Sequence, residues 1–405
     1  MAGVVRIAVL SDLHFSSGEG GKGQTHVIMS RQEIKKQHPY RDILDLISAE
    51  SLAADLVLCP GDITCQADQA ALKFAWDSLN KVSDHLGAKH LFAATGNHDI
   101  SSRAGESSPE IWEYLKRLDP TYPYPGANKI QRLSYWAEHF LIAETQGVRV
   151  VVFNSCNSHS RGAPEWAHGR ITDYTISRID EELGQPDSSR LNILLCHHHP
   201  AKHPDLNQVE VDYSEMTQGA KLISFLGERD EPWLLVHGHK HSPRLDYAQG
   251  SDSDVPIIFS AGSFSAVLSP EYFAGSSNQF YIVEIDTNYV AANGIAGVVR
   301  AWDWREGQGW VSARSDRIID GRILDGAGFG HRANPSKDAQ EIDAAIGAEM
   351  KVKWEDILLK LPWLRHVTPR DLNKIIKRLN SSHYVDTLRE PGSWRPQELL
   401  RCNYE

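Results

Sequence analysis

Polar side chains that could bind metal ions follow several short apolar runs of this chain. The first run, VVRIAVL, leads directly into Asp12 and His14. Other apolar runs lead into the segments PGDIT, TGNHD, HHHP and HGHKH. Carboxylate, imidazole and amide oxygen donors together suit Mn, Fe or Zn. The sequence therefore predicts a metal centre assembled from separate segments.

Each of these segments is weak evidence alone, because a lone Asp after a strand is often a helix cap and a lone His is often structural. As a set they supply about enough donors for two ions. Asp62 is the natural carboxylate to bridge them, since only one acid stands in its segment.

The elements that must position these residues alternate between strand and helix patterns. Near-continuous apolar runs such as ADLVLC, VRVVVF, RLNILLC and PWLLVH predict strands that are buried on both faces. Helical patterns separate them, for example ADQAALKFAWDSLNKVSDHLG and QRLSYWAEHFLIAETQG. This order predicts mostly parallel strands whose carboxyl ends share one edge, where α/β proteins place their sites.

The later strand patterns VPIIFSAGS, FYIVEID, GVVRAWDW and GWVSARS follow one another without helices, which predicts antiparallel pairing. The predicted fold class is α/β: a two-sheet β-sandwich flanked by helices, with one mostly parallel and one mixed sheet. Residues 1–315 form this domain. The glycine-rich residues 316–335 are predicted to be a linker.

Residues 336–405 are predicted to form a small helical domain that resembles a winged helix. Two amphipathic helical patterns, VKWEDILLKLPWL and TPRDLNKIIKRLN, precede a predicted hairpin around Pro391 and Gly392. From Lys351 to Arg401, eleven Lys or Arg residues stand against six Asp or Glu, a net charge of +5. Trp354, Trp363 and Trp394 either contact a nucleic acid or fill a small core.

Composition narrows the possible functions. A net charge of -11 over 405 residues argues against a general nucleic-acid coat or a membrane-surface protein, though not against a local basic patch. The five cysteines have no CxxC spacing, which favours reduced thiols. No run is long enough for a membrane span, and no signal peptide is recognisable, so we expect a cytoplasmic protein.

The ordered motifs D-x-H, G-D, G-N-H-D, H and G-H-x-H closely resemble those of the calcineurin-like metallophosphoesterase superfamily, and they run from Asp12 to His241. Their spacing and the intact GNHD are more similar to bacterial phosphodiesterases of the cyclic-nucleotide type than to purple acid phosphatases. Many relatives carry a second acid soon after G-D, where this chain has GDITCQAD. That acid is not usually a ligand, so the departure leaves the predicted site intact.

The resemblance implies two divalent metal ions, Mn above all, with Fe or Zn as alternatives. The implied ligands of the first ion are Asp12, His14, Asp62 and His241. The implied ligands of the second ion are Asp62, Asn97, one histidine of HHHP, and His239. A bridging hydroxide would attack phosphorus in line. The resemblance gives His98 the role of protonating the leaving oxygen or stabilising phosphoryl charge, and Asp99 the role of orienting His98.

The three histidines of HHHP cannot all bind one ion, because side chains of an extended segment alternate between two faces. His197 and His199 should point one way and His198 the other. In the resembling family the ligand usually lies two residues before the proline, which selects His198. His197 remains the alternative because it is the first residue after the strand.

These features predict a phosphodiesterase that acts on a nucleotide or cyclic nucleotide. Two alternatives remain: a DNA or RNA nuclease guided by residues 336–405, and a non-catalytic metal-binding scaffold. The insertions Phe15–His38 and Ser102–Lys129 are expected to set specificity, so the motifs do not name the substrate. The sequence also leaves the oligomeric state open.

Overall fold

A computed structural model describes most of the chain. The described residues are 3–18, 25–102, 112–145, 147–159, 168–202, 215–248, 256–269, 273, 275–288, 290, 294–318 and 321–402. Strands and helices are numbered below in chain order.

The first sheet carries the amino-terminal strand at its centre. Its strands are β1 (Val4–Val9), β2 (Leu56–Cys59), β3 (His90–Ala93), β10 (Gln279–Asp286), β11 (Gly297–Arg305), β12 (Gly309–Ser312) and β13 (Ala327–Phe329). Their order is β12-β11-β10-β1-β2-β3, with β13 also paired to β11. Strands β1, β2 and β3 are parallel, whereas β10 to β13 pair antiparallel, as predicted for FYIVEID, GVVRAWDW and GWVSARS. The other pattern of that prediction, VPIIFSAGS, forms a strand of the second sheet that is parallel to one neighbour and antiparallel to the other.

The second sheet is built around four parallel strands. Its strands are β4 (Phe140–Thr145), β5 (Val148–Phe153), β6 (Leu191–Leu195), β7 (Trp233–His237), β8 (Arg244–Tyr247) and β9 (Ile257–Ser260). Their order is β4-β5-β6-β7-β9-β8, and only the two outer pairs are antiparallel.

Helices cover the two sheets. They are α1 (Pro39–Glu50), α2 (Gln69–His85), α3 (Glu113–Lys116), α4 (Lys129–Ala137), α5 (Asp173–Leu183) and α6 (Gly219–Glu228). Local sequence starts several of them: the side chains of Asp68, Asn128 and Thr172 accept backbone N–H groups at the first turns of α2, α4 and α5. Residues from both sheets, such as Ile7, Phe92, Leu195 and Val236, are fully or almost fully buried in one apolar core, so the sheets form a sandwich.

The carboxy-terminal domain has a winged-helix order. It contains α7 (Pro335–Ile346), β14 (Lys351–Lys353), α8 (Trp354–Lys360), a 3-10 helix (Pro362–His366), α9 (Pro369–His383), β15 (Val385–Leu388) and β16 (Glu398–Arg401). The three strands form a separate small sheet. Trp354 and Trp394 are buried in this domain's own apolar core, and Trp363 packs against it. This favours the interpretation of the tryptophans as core residues.

Two segments differ from the sequence prediction. Residues 140–145, expected at the end of a helix, form β4, because the chain turns at His139 with φ 69° and then pairs with β5. The predicted linker contains β13, in which Ala327, Gly328 and Phe329 are buried and pair with β11. The glycines that suggested a linker therefore lie partly within the first sheet.

Among the described residues, no helix is both long and apolar enough to cross a membrane.

Candidate metal centre

The predicted site residues meet where strands of both sheets end. Asp12 and His14 follow β1, Asp62 follows β2, and Asn97 follows β3. The second sheet supplies His197 after β6, and His239 and His241 after β7. Because the two sheets face each other, these ends bring both sets of side chains to one edge of the sandwich.

One group of donors surrounds the carboxylate of Asp12, whose side chain is fully buried. His241 Nε2 lies 3.3 Å from Asp12 Oδ1. The two imidazole nitrogens His14 Nε2 and His241 Nε2 face each other at 3.0 Å. His14 Nε2 is also 3.8 Å from Asp62 Oδ2. The structure therefore brings together the four residues predicted for the first ion.

A second group of donors meets around the amide oxygen of Asn97. His197 Nε2 lies 3.0 Å from Asn97 Oδ1, and His239 Nδ1 lies 3.1 Å from the same oxygen. His197 Nε2 is 3.4 Å from Asp62 Oδ2. The Asp62 carboxylate thus contacts a histidine of each group, as a bridging ligand would.

The backbone at this edge is strained. Five candidate ligands have left-handed backbone angles: φ is 51° at Asp12, 48° at His14, 52° at Asp62, 75° at His239 and 51° at His241. Such conformations are uncommon for residues other than glycine and cluster at functional sites. The sequence motifs do not reveal this strain directly.

Two motif glycines let the loops approach each other closely. A Cβ on Gly96 would lie 2.1 Å from Asp62 Oδ1, and a Cβ on Gly238 would lie 2.4 Å from Asp12 Oδ2. These distances are shorter than any van der Waals contact. The glycines of GNHD and HGHKH are therefore needed to make room for the two central carboxylates.

The geometry favours His197 over His198 as the HHHP ligand. His197 Nε2 faces Asp62, Asn97 and His239, and His197 Nδ1 contacts the carbonyl oxygen of Pro60 at 2.9 Å. His198 Nδ1 instead contacts the Ser155 hydroxyl at 2.8 Å. The contacts therefore favour the alternative, His197, while His198 also belongs to a candidate cluster with His197 and His239 whose donor atoms lie within 4.8 Å of one another.

His198 is nonetheless fully buried beside the centre. Its Nε2 has no hydrogen-bond partner among the described residues, and its ring centroid is 4.5 Å from that of His239. Burial, followed by the neighbouring histidines, holds the pKa of His198 well below its usual value. His198 therefore lies directly beside the second group, with one ring nitrogen left for a further ligand.

Asp99 does not contact the His98 ring, contrary to the orienting role the resemblance implied. Its Oδ2 accepts the backbone N–H groups of Asp62 at 3.0 Å and Gly96 at 2.8 Å, and its Oδ1 accepts that of Thr64 at 3.0 Å. Burial and the nearby Asp62 carboxylate raise the pKa of Asp99 to about 7. Asp99 thus ties the loop after β2 to the loop after β3, which positions ligands rather than His98.

His98 lies next to the donors but is only half-buried. Its Nδ1 accepts the backbone N–H of Gln66 at 3.2 Å, and its ring packs edge-on against His14 at 5.0 Å. Since Nδ1 accepts, Nε2 carries the ring proton in the neutral form. The local hydrogen bond, not Asp99, therefore fixes the tautomer.

The charges in this centre depend on one another. Burial alone would raise the pKa of Asp62, but His197, His98 and His14 hold it well below its usual value. Burial alone would lower the pKa of His197, but the Asp62 carboxylate raises it to about 9. Burial lowers the pKa of His14 to about 3. The buried carboxylates therefore require positive charge close by.

The donor set fits a pair of divalent cations. Asp12, His14 and His241 form one candidate cluster, and Asp12, Asp62 and His197 form another, each with its donor atoms within 4.8 Å of one another. The facing imidazole nitrogens lie 3.0 Å apart for His14 and His241 and 3.2 Å apart for His197 and His239. A cation bound in each group would offset the buried carboxylate charge and could accept lone pairs from these rings.

A further candidate cluster joins Cys156, His159 and His198. Its donors are already engaged, since His159 Nδ1 contacts the Ser102 hydroxyl at 2.9 Å and Cys156 Sγ donates to the Thr95 carbonyl at 3.3 Å. These contacts give it a packing role behind the centre.

Sequence reasoning missed two supports of the site. The Ser11 hydroxyl donates to Asp12 Oδ2, and the Pro60 carbonyl oxygen holds His197. Ser11 could have been suspected because it adjoins a predicted ligand. The Pro60 contact uses only the backbone, so no residue type signals it.

Comparison with known proteins identifies the family. The family model for calcineurin-like phosphoesterases matches residues 5–251, more than half of the chain. The chain belongs to the calcineurin-like phosphoesterase family, whose members are metallophosphoesterases with a dinuclear centre of divalent ions. A second model, a winged helix-turn-helix domain associated with calcineurin-like proteins, matches residues 327–381.

Solved structures resemble the fold at low sequence identity. A purple acid phosphatase from yellow lupin is 12% identical, with 76% of this chain and 53% of that chain covered and a TM-score of 0.45. A 5'-nucleotidase precursor from Thermus thermophilus is 12% identical, with 74% and 54% covered and a TM-score of 0.36. The chain thus spans about half the length of these proteins. The comparison with curated proteins gives no match.

Proposed function

We propose that this chain hydrolyses phosphodiesters of nucleotides with two divalent ions held by seven residues. These residues are Asp12, His14, Asp62, Asn97, His197, His239 and His241. The observation that carries the proposal is Asp62, whose Oδ2 lies within 3.8 Å of His14 Nε2 in one group and within 3.4 Å of His197 Nε2 in the other.

When bound, the two ions would supply Lewis-acid stabilisation of the phosphoryl oxygens and a nucleophile at neutral pH. Mn is our first choice, because the donors are a mixture of carboxylate, amide and imidazole, and Fe or Zn would accept the same set. The intact set of donors argues against a non-catalytic scaffold.

Two residues beside the proposed ligands have separate roles: Asp99 holds the ligand loops, and His98 would transfer a proton to the leaving oxygen. Asp99 holds the Asp62 and Asn97 loops in register through three backbone hydrogen bonds. His98 stands at the more exposed side of the centre with Nδ1 held by Gln66, so its Nε2 proton is free to pass to the leaving oxygen.

The test is hydrolysis of bis(p-nitrophenyl) phosphate by the Mn-loaded protein. We expect His98→Ala to lower kcat roughly 100- to 10,000-fold, the usual contribution of a general acid. His85→Ala, an exposed histidine on α2, is the matched control and should retain full activity. If the Mn-loaded protein cleaves no phosphoester, including nucleotides, cyclic nucleotides and short DNA, the proposal fails.

A second candidate substrate is a nucleic acid, because α9 carries exposed basic residues and the carboxy-terminal domain matches a winged helix-turn-helix model. Both candidates share the diester chemistry. Their rates on cyclic nucleotides and on short DNA, measured with the same His98→Ala control, distinguish them.

A further inference from the structure

The second group draws its donors from both sheets of the sandwich. Asp62 and Asn97 follow strands of the first sheet, whereas His197 and His239 follow strands of the second sheet. An ion held by all four requires a fixed separation of the two sheets at this edge, because metal–ligand distances vary by only about 0.2 Å. Side chains that tie the Asn97 loop to the second sheet therefore set the geometry of this group.

Two carboxylates hold the peptide groups on either side of Asn97. Asp99 Oδ2 accepts the Gly96 backbone N–H at 2.8 Å, and Asp62 Oδ1 accepts the His98 backbone N–H at 2.7 Å. Both carboxylates follow strands of the first sheet, so these contacts fix the loop within its own sheet. The backbone carbonyl of Asn97 has a different partner.

That partner is the hydroxyl of Ser102, which in turn contacts a histidine. The Ser102 hydroxyl donates to the Asn97 carbonyl oxygen at 2.6 Å, and the same hydroxyl lies 2.9 Å from His159 Nδ1. His159 Nε2 contacts the His168 carbonyl oxygen at 2.9 Å. Both ring nitrogens of His159 are thus anchored, and one of them is linked to the Asn97 loop through Ser102.

His159 belongs to the loop that follows β5 in the second sheet. This loop is braced, because Asn157 Nδ2 donates to the carbonyl oxygens of Asn154 at 2.9 Å and Arg170 at 2.7 Å. The side chains of Ser102 and His159 are both buried, so water does not compete for their contact. The contact therefore joins the loop after β3 to the loop after β5, and with them the two sheets.

The first group has a comparable tie that uses a different serine. Ser263, in the loop after β9 of the second sheet, donates to the Asp12 carbonyl oxygen at 2.7 Å. In each group, a backbone carbonyl of a candidate ligand from the first sheet is thus held by a buried hydroxyl. The Ser102 hydroxyl contacts Asn97, which belongs to the second group, so its loss should affect the second ion more than the first.

We propose that Ser102 and His159 form a positioning pair that fixes the amide of Asn97 for the second ion. His159 acts through Ser102 and does not contact the reacting atoms. The inference rests on the ligand set of the proposed function, in which Asn97, His197 and His239 hold the second ion. It does not depend on which phosphoester is cleaved.

The test measures stepwise Mn binding to the full-length protein by isothermal titration calorimetry. His159→Leu and His159→Asn are a matched pair, because the two new side chains have nearly the same size but only the amide can contact Ser102 from the position of Nδ1. We expect His159→Leu to weaken binding of the second ion roughly 10- to 100-fold, the usual effect of losing a group that orients a ligand. His159→Asn should restore most of this affinity, and the first ion should bind both variants normally.

A double-mutant cycle shows whether the two residues act as one unit. We expect Ser102→Ala to weaken the second ion by a similar factor and Ser102→Ala/His159→Leu to weaken it no further, because His159 acts on Asn97 through Ser102. Ser48→Ala, on α1, is the control. It also removes a hydroxyl that donates to a backbone carbonyl, that of Leu44 at 3.0 Å, in a helix that supplies no candidate ligand.

Equal weakening of both ions, equal effects of His159→Leu and His159→Asn, or additive effects in the cycle would overturn the inference. Unchanged Mn affinity in His159→Leu would overturn it too. If His159→Leu does not fold, Ser102→Ala provides the same comparison of the two ions. Hydrolysis of bis(p-nitrophenyl) phosphate is assayed separately: two bound ions without hydrolysis in the unmodified protein would contradict the proposed function and leave this inference standing.

Discussion

At the scale of single residues, the contacts of one imidazole favour His197 as the histidine that completes the second group. His197 Nε2 meets Asn97 Oδ1 at 3.0 Å and His239 Nδ1 at 3.2 Å, while His198 is held by Ser155 on the other face. A motif of three adjacent histidines does not contain this information, because it depends on how the segment is rotated relative to the two sheets.

This difference predicts metal content. We expect His197→Ala to retain one metal ion per chain instead of two, because the second group loses the imidazole nitrogen that lies next to the Asp62 carboxylate. His198→Ala, a buried and equally large truncation one residue away, should retain both ions. Elemental analysis after dialysis against Mn measures the stoichiometry. The reverse result would restore His198 as the ligand.

The contacts of Asp99 predict a structural effect. In Asp99→Asn the amide would place a donor against backbone N–H groups, so we expect the free energy of unfolding to fall by about 1–3 kcal/mol. Metal affinity should fall as well, since the Asp62 and Asn97 loops lose their shared support. Asp84→Asn, an exposed position on α2, is the control.

Urea unfolding with and without Mn measures both quantities. An Asp99→Asn protein that matches the unmodified protein in stability and in metal affinity would contradict the positioning role.

At the scale of elements, the loops after the strands are compressed around the two central carboxylates. The left-handed angles at five candidate ligands and the glycines of GNHD and HGHKH belong to the same feature. Loops held this tightly fix the donors before an ion arrives, which is the arrangement expected of a preorganised site.

Gly96→Ala should therefore abolish binding of at least one ion. Its Cβ would lie 2.1 Å from Asp62 Oδ1 and 2.2 Å from the Asp62 backbone nitrogen, so one of the loops must move. Gly227→Ala, in helix α6, is the matched control, because its Cβ would meet nothing closer than 3.8 Å. We expect this control to be neutral or to stabilise the protein by up to about 1 kcal/mol.

Elemental analysis and a thermal melt of both alanine variants provide the measurement. Two bound ions in Gly96→Ala would show that the loops tolerate the added methyl group.

At the scale of the whole molecule, the carboxy-terminal domain is attached to the phosphoesterase fold at several points. Strand β13 joins the first sheet, the loop between β15 and β16 contacts residues 325 and 326, and Tyr247 of β8 contacts the chain just after β13. These contacts hold the carboxy-terminal domain against the phosphoesterase fold.

Two hydrogen bonds of the Tyr247 hydroxyl contribute to this attachment. It accepts the Gly330 backbone N–H at 2.8 Å and donates to the His331 carbonyl at 3.3 Å. Tyr247→Phe leaves both groups without this partner, so we expect a loss of about 1–3 kcal/mol in the free energy of unfolding. Tyr114→Phe, at an exposed position, is the control. Urea unfolding that shows equal stability for both variants would contradict this contact.

The sequence by itself determined where most strands lie along the chain, the family resemblance and most of the residues that meet at the centre. Apolar runs fix which segments are buried, and polar residues that directly follow such runs must lie at the ends of strands. Local patterns gave the wrong structure in two places. After His139, whose left-handed backbone ends a helix, a strand follows instead of more helix, and β13 lies where the glycines suggested a linker.

Only the tertiary structure shows that His197 contacts Asn97 and Asp62, that Asp99 accepts three backbone N–H groups, and that the loop between β15 and β16 contacts residues 325 and 326. Each of these depends on contacts between segments far apart in the chain. Residue type and spacing constrain which groups can meet, but side-chain direction is set by the packing of the two sheets against each other.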